Sequence, residues 1–120
     1  MNTPEQVVQR QLDAYNAHDL DAWLDTYAVD AKQFEHPATL LASGHAEIRA
    51  RAAPRFAEPN LHAQLLKRVV LGEMVIDHES VVRSFPEGPG RMDLICIYQV
   101  HAGKIATASF VFGAKTLDAA

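Results

Sequence analysis

From Leu61 onward the chain offers four long β-rich runs: Leu61–Leu71, Met74–Arg83, Arg91–Val100 and Lys104–Phe112. Gly72-Glu73, the Pro86–Gly90 loop and His101–Gly103 separate them, and glycine in each short connection marks a hairpin. Consecutive strands joined in this way make an antiparallel sheet, and such a sheet needs an apolar cover on at least one face. The first half of the chain has to supply that cover.

It does so with helices. Thr3 can cap a first helix, Pro4 suits its first position and Gln6 completes a capping box. Val8, Leu12 and Tyr15 follow at i, i+4 and i+7. Asn16-Ala17-His18-Asp19 breaks this helix, and Asp19 can cap the next. Leu20, Trp23, Leu24 and Tyr27 fall at i, i+3, i+4 and i+7, which predicts a second helix closed by Asp30. A short extended run then delivers Glu35 and His36 immediately before Pro37, and Phe34–Pro37 with Thr39–Ala42 fits a short hairpin. A third helix opens at Gly44, with Glu47 three residues on, and runs from about His45 until Pro54 disturbs it or Pro59-Asn60 ends the connection. Arg49, Arg51 and Arg55 sit among alanines on that helix and read as a solvated face. The expected fold class is α+β: one domain over residues 1–120, three N-terminal helices packed on a mainly antiparallel sheet. Asp118–Ala120 reads as a frayed tail.

Within Arg91–Val100, Met92, Leu94, Cys96 and Tyr98 alternate with Ile95 and Ile97, so both faces of the strand are apolar. Helices cover only one side of the sheet. The economical cover for the other is a second copy of the chain, so a homodimer through the outer sheet face is expected.

Composition excludes several function classes. A net charge of −4 and a pI near 5.8 argue against a nucleic-acid binder. No segment reaches the length of a membrane span, and the N-terminus lacks the regions of a signal peptide. Cys96 is the single cysteine, which fits a reducing compartment; a cytoplasmic protein is expected. The histidines at 18, 36, 45, 62, 78 and 101 show neither i, i+4 helical pairing nor short alternating strand pairing, so no metal is expected. No glycine-rich phosphate loop, nucleophile elbow or CxxC pair is present, and no cofactor is expected.

The order of elements, the YNAHDLDA stretch from Tyr15 to Ala22, the Gly44–Arg49 helix start and the Tyr98–Ile105 segment at the last hairpin together resemble the nuclear transport factor 2-like superfamily. The resemblance is to its SnoaL-like and ketosteroid-isomerase-like branches and covers nearly the whole chain. It implies a cone-shaped fold, a curved sheet wrapped by helices with the ligand inside. Members include isomerases, dehydratases, polyketide cyclases, epoxide hydrolases and plain binding or assembly domains, so the fold alone does not decide function.

In such proteins an acidic residue before a proline often lines the pocket. Counting forward from Asp19 puts this base at Glu35, whereas anchoring on Pro37 puts it at His36. A ketosteroid-isomerase site also needs a tyrosine and a neutral carboxylic acid to bind the developing enolate. Those positions fall on Gln11 and Cys96, and a thiol replaces a carboxylic acid poorly. The resemblance therefore implies the fold without authentic ketosteroid isomerase activity.

Glu35 and His36 are consecutive on an extended segment and point to opposite faces, so at most one enters the pocket. Either can serve as acid or base. Gln11, Tyr15 and Tyr98 are candidate polar orienters, and Trp23 and Tyr27 serve as core and pocket wall together. Cys96 reads as an inert buried thiol in that wall. His78 shares strand parity with Met74, Ile76 and Val82, so it is expected to face an apolar layer, satisfied by a partner. His62 shares parity with Gln64, Leu66, Arg68 and Val70, too mixed to orient it. Both are kept as pocket candidates. The expected ligand is a small apolar organic molecule, and the expected chemistry is cofactor-free proton transfer (isomerisation, dehydration or cyclisation beside a carbonyl). The other class is a non-catalytic ligand-binding or protein-assembly module.

Overall fold

A computed structural model describes residues 2–118; for Ala119 and Ala120 the expected frayed tail lies outside the described residues. The elements run α1 (Pro4–Asn16), α2 (Leu20–Asp25), β1 (Tyr27–Glu35), β2 (Thr39–Ser43), α3 (Gly44–Phe56), β3 (His62–Leu71), β4 (Met74–Phe85), β5 (Gly88–His101) and β6 (Lys104–Leu117). The strands form a six-stranded sheet in the order β2-β1-β6-β5-β4-β3, with helices packed on it. β1 runs parallel to β6, and every other neighbouring pair is antiparallel. The α+β class stands, with one correction: α3 follows β2, so the helices are not all N-terminal to the sheet.

The first helix begins as its sequence dictates. Thr3 Oγ1 accepts from the Gln6 backbone N–H while the Gln6 side chain accepts from the Thr3 N–H, the reciprocal capping box. Asp19 accepts from the Ala22 N–H and caps α2. This second helix is shorter than its apolar spacing predicts. Thr26 ends it by donating its hydroxyl to the Trp23 carbonyl at 2.7 Å, and the Thr26 carbonyl then accepts from Ile105 N–H of β6 at 2.8 Å. That bond draws the chain into the sheet, so Tyr27 opens β1 and Asp30 lies inside the strand. The sequence spacing still has a consequence, because the Trp23 and Tyr27 rings stay 4.9 Å apart across the helix–strand junction. Pro54 does not stop α3, which runs on to Phe56. Pro54 is exposed, so the carbonyl it leaves without a helical donor lies on the solvent side.

One irregularity in β3 organises the base of the sheet. Leu65 pairs with Glu79 and Lys67 with His78, so Leu66 is an extra residue, a β-bulge. The bulge reverses the side-chain parity of the rest of the strand. Ala63 and Leu65 face the helices before it, and Arg68 faces them after it, opposite Asp77. Arg68 Nε and Nη2 donate to the two Asp77 carboxylate oxygens at 2.7 and 2.9 Å, and Nη1 donates to Gln9 of α1 at 2.8 Å. Asp77 is wholly buried and the Arg68 side chain nearly so. A further bulge lies on β6, where Gly113 and Ala114 stand against the single residue Asp93 of β5. A Cβ at Gly113 would stand 2.6 Å from the Asp93 carbonyl oxygen, so the backbones approach this closely only at glycine.

The outer sheet face carries Val69, Ile76, Ile95, Ile97 and Val111 in adjacent registers across four strands. Val69, Ile76 and Val111 are 50%, 36% and 41% exposed, a patch of a kind that soluble chains tend to cover. Among the described residues no helix is long and apolar enough to cross a membrane.

The buried Arg68–Asp77 pair gives a stability prediction. Asp77→Ala leaves the guanidinium without its carboxylate and should cost about 3–5 kcal/mol in urea unfolding. The double replacement Arg68→Met/Asp77→Leu should recover most of that loss. Equal destabilisation in the single and double variants would show that the pair's charge balance is not what the fold requires.

Candidate functional site

An internal cavity of about 60 Å³ lies between the helices and the sheet. Its aromatic wall is assembled from four elements. Tyr15 of α1 meets Phe56 of α3 edge-on at 5.3 Å between centroids, Phe56 lies 5.2 Å from Trp23 of α2, and Trp23 lies 4.9 Å from Tyr27 of β1. The apolar stripe Ile48, Ala52, Phe56 seats α3 against the sheet. Arg51 and Arg55, one turn apart beside that stripe, are thereby carried into the cavity wall. The expectation of a solvated arginine face holds for Arg49, which pairs with Asp21 at the surface, and fails for the other two.

The sheet side is built from alternate residues of β4 and β5. Val75, Asp77, Glu79 and Val81 point toward the helices from β4, and Met92, Leu94, Cys96 and Tyr98 from β5. Glu79 is 5% exposed and lines the cavity, with Asp77 two residues away on the same face. Burial pushes the Glu79 carboxyl up to about 7, and the Asp77 charge adds to the rise. A hydrogen bond from the Cys96 thiol at 3.8 Å and the Arg68 charge oppose it only in part. Glu79 is thus a carboxyl able both to hold and to release a proton near neutral pH.

Neutral donors surround it. Burial raises the Tyr27 and Tyr98 phenols far above their ordinary range, which keeps both protonated. Tyr98 donates to Gln11 Oε1 at 3.4 Å. Tyr27 accepts from Gln33 Nε2 at 3.4 Å, and Arg51 in turn donates to Gln33 Oε1 at 3.1 Å, so the Tyr27 O–H is left to donate. Burial also raises the Cys96 thiol, in keeping with an inert sulfur.

The cavity therefore gathers Gln11, Tyr15, Trp23, Tyr27, Cys96 and Tyr98 from the sequence candidates. It does not include the other four. Glu35 and His36 are exposed at the end of β1, where the chain turns through a cis His36–Pro37 peptide. Gln33, two residues before Glu35 on the same side of the strand, is the β1 residue that lines the cavity. His78 lies on the outer sheet face, opposite Ile95, with Asp93 as its partner at 3.3 Å, and not in the cavity. His62 is exposed on β3. Glu79, Gln33, Arg51, Arg55 and Arg83 are the polar lining residues that sequence reasoning passed over. A signal for Glu79 existed: Asp77 and Glu79 are two carboxylates on the parity flanked by Val75 and Val81, where charge is unexpected. Among the described residues no three His, Cys, Asp or Glu side chains gather as a metal site.

With this geometry in view, the likeness to known proteins is informative. The profile of the SnoaL-like domain matches residues 8–108. An uncharacterized cystatin fold protein from Novosphingobium aromaticivorans superposes with a TM-score of 0.82 at 23% identity, covering 91% of this chain and 97% of its own. A putative polyketide cyclase from Sinorhizobium meliloti gives a TM-score of 0.70 at 27% identity, with 87% and 92% covered. An LEH-like epoxide hydrolase from M. tuberculosis gives 0.77 at 12% identity, with 91% and 81% covered. No curated protein matches the sequence.

The raised Glu79 carboxyl sets a pH dependence. Its folded value of about 7 exceeds the ordinary 4.5, so between these limits the native state holds more protons than the unfolded chain. Stability contributed by this group is present below 4.5 and lost as pH rises through 7. Glu79→Gln removes the titration. In urea unfolding, the variant should gain on wild type by on the order of 3 kcal/mol between pH 4.5 and pH 8. A difference that stays flat across this interval would show Glu79 to be an ordinary carboxylate.

Proposed function

The chain belongs to the SnoaL-like domain family, and from that premise we propose that it takes up a small organic molecule in the internal cavity and shifts a proton on a carbon next to a carbonyl. Glu79 is the base. Its carboxylate takes the proton from the α-carbon, and the C–H electron pair moves into the new C=C bond as the carbonyl oxygen becomes an enolate. Tyr27, held by Gln33, donates its O–H to that oxygen. Glu79 then returns the same proton to another carbon of the conjugated system, and the net change is an isomerisation without cofactor. The observation that carries this reading is that the one carboxyl lining the cavity is buried and poised to about 7, with neutral phenols in the same lining.

The cavity bounds the substrate. A water needs roughly 10–15 Å³ of such space, so about 60 Å³ admits a molecule of a few heavy atoms. That limit excludes the terpenoid or aromatic polyketide scale unless the walls move. It also favours a second reading, a module that binds a small ligand without turnover. Incubation of short ketones and oxo acids in D₂O, followed by proton NMR, separates the two. The expected result is enzyme-dependent loss of the α-proton signal from at least one compound, reduced about 10²–10⁴-fold in Glu79→Gln. Equal exchange by wild type and variant would remove Glu79 from the chemistry, and binding without exchange would leave the binding module.

We also propose that a second copy of the chain covers the outer sheet face. Its support is the exposed row Val69, Ile76 and Val111, continuous with Ile95 and Ile97 and carried on the side that no helix covers. A two-fold arrangement lets this self-complementary patch bury itself. Sedimentation at micromolar concentration should show a dimer, and Val111→Glu should shift it to monomer. A wild-type monomer at that concentration would end the dimer proposal.

A further inference from the structure

Three guanidiniums line the cavity, those of Arg51, Arg55 and Arg83, against the one carboxyl of Glu79. This excess of positive charge occurs in a protein of net charge −4. The arginines are not equivalent. Arg83 is neutralised by Glu58, donating Nε and Nη2 to its two carboxylate oxygens at 2.9 and 3.0 Å. Among the described residues, neither Arg51 nor Arg55 has a carboxylate partner. Arg51 spends one donor on Gln33 and lies over the Phe110 ring, 5.8 Å from its centroid. Arg55 Nε is buried with no hydrogen-bond partner among the described residues, and so is the indole N–H of Trp23, whose residue is only 5% exposed.

Each of these features costs stability. Two cations one helical turn apart repel one another, and burial lowers both from the ordinary guanidinium value. Unmade hydrogen bonds from buried donors add to the cost. A site rich in unused N–H donors, short of acceptors and positively charged is chemically incomplete. The group that completes it is an anion with acceptor oxygens in a plane, the match for a guanidinium fork.

We propose that Arg51 and Arg55 form a carboxylate subsite, and that the ligand of this cavity is a short-chain organic acid, in particular an oxo acid. The inference rests on the reading of the cavity as a ligand site and names the substrate class of that site. The arginines are half-buried, whereas Gln11, Cys96 and Tyr98 of the same lining are fully buried. The carboxylate is therefore held toward the mouth, and the carbonyl end reaches inward toward Glu79 and the phenols. A cavity of about 60 Å³ suits acids of three to five carbons. This also revises the expectation of an apolar ligand. Phe56, Leu94 and Phe110 supply apolar wall, but the lining is charged at one end.

The test uses the full chain and two matched probes, 2-oxobutanoate and butanone, titrated by calorimetry at low salt and pH 6.5. Wild type should bind 2-oxobutanoate at least tenfold more tightly than butanone. Arg55→Met and Arg51→Met should each weaken 2-oxobutanoate at least tenfold while leaving butanone within about threefold. Arg55→Lys, which keeps the charge and loses the fork, should fall between. Glu79→Gln should retain the preference for the acid, because the subsite does not depend on the base. Equal affinity of wild type for the two probes overturns the carboxylate subsite and leaves the cavity and its proton chemistry standing. Unchanged 2-oxobutanoate binding in folded Arg51→Met and Arg55→Met overturns it as well. Binding of neither probe overturns the subsite and the ligand site together. The comparison of acid with ketone is made on wild type, so a variant that fails to fold does not remove the test.

Discussion

The bidentate contact between Arg68 and Asp77 is the interaction on which the rest of this structure depends. It joins β3 to β4 below the cavity, and through Gln9 it ties both to α1. A buried guanidinium–carboxylate pair is no guarantee of stability, since desolvation takes back much of its Coulomb energy. Its value is in register. Because the Leu66 bulge lets Arg68 face Asp77, a slip of one residue would send a cation to the solvent side and leave a carboxylate buried alone. The same Asp77 sits two residues from Glu79 and helps to hold that carboxyl near 7. Structural closure and acid–base tuning thus share one residue.

Charge is then divided along the cavity. The one carboxyl, that of Glu79, comes from β4, and the arginines come from α3 and the far part of β4. The aromatic chain Tyr15–Phe56–Trp23–Tyr27 walls the same cavity, and burial there makes every unpaired charge more consequential. Arg83 shows what an ordinary structural arginine looks like here, matched by Glu58 on the loop after α3. Arg55, a neighbour in the same lining, lacks such a match among the described residues. That contrast inside one protein is the reason to read Arg55 as held for a ligand and Arg83 as held for the fold.

Much of the fold was legible in the sequence. The Thr3 capping box, the Asp19 cap and the short hairpin around Pro37 stand where local rules place them. The four later strands are present but longer, with β5 opening at Gly88 inside the expected Pro86–Gly90 loop and β6 running on to Leu117. The misreadings have one physical source: tertiary pairing overrides local periodicity. Tyr27 continues a helical spacing, yet the bond from Ile105 to the Thr26 carbonyl makes it a strand residue. His62, Gln64, Leu66, Arg68 and Val70 looked unorientable because a period of two was applied across a bulge. With the extra residue at Leu66 counted, Ala63, Leu65, Arg68 and Val70 fall on one side.

The site was legible in part, for a related reason. Its aromatic half coincides with the core, so apolar spacing finds Tyr15, Trp23, Tyr27 and Tyr98. Its polar half is made of residues that such spacing assigns to solvent. Arg51 and Arg55 sit at i and i+4 among small alanines, a pattern that describes an exposed face equally well until the direction of α3 is known. That direction is set by Ile48, Ala52 and Phe56, the stripe that meets the sheet. In an α-helix, residues 51, 52, 55 and 56 share one side, so once Ala52 and Phe56 are committed to the interior the two arginines follow them. The alanines then gain a role. No side chains of length stand beside them to shield the guanidiniums from the cavity, and the one carboxylate of α3, Glu47, accepts from the Ser43 N–H instead.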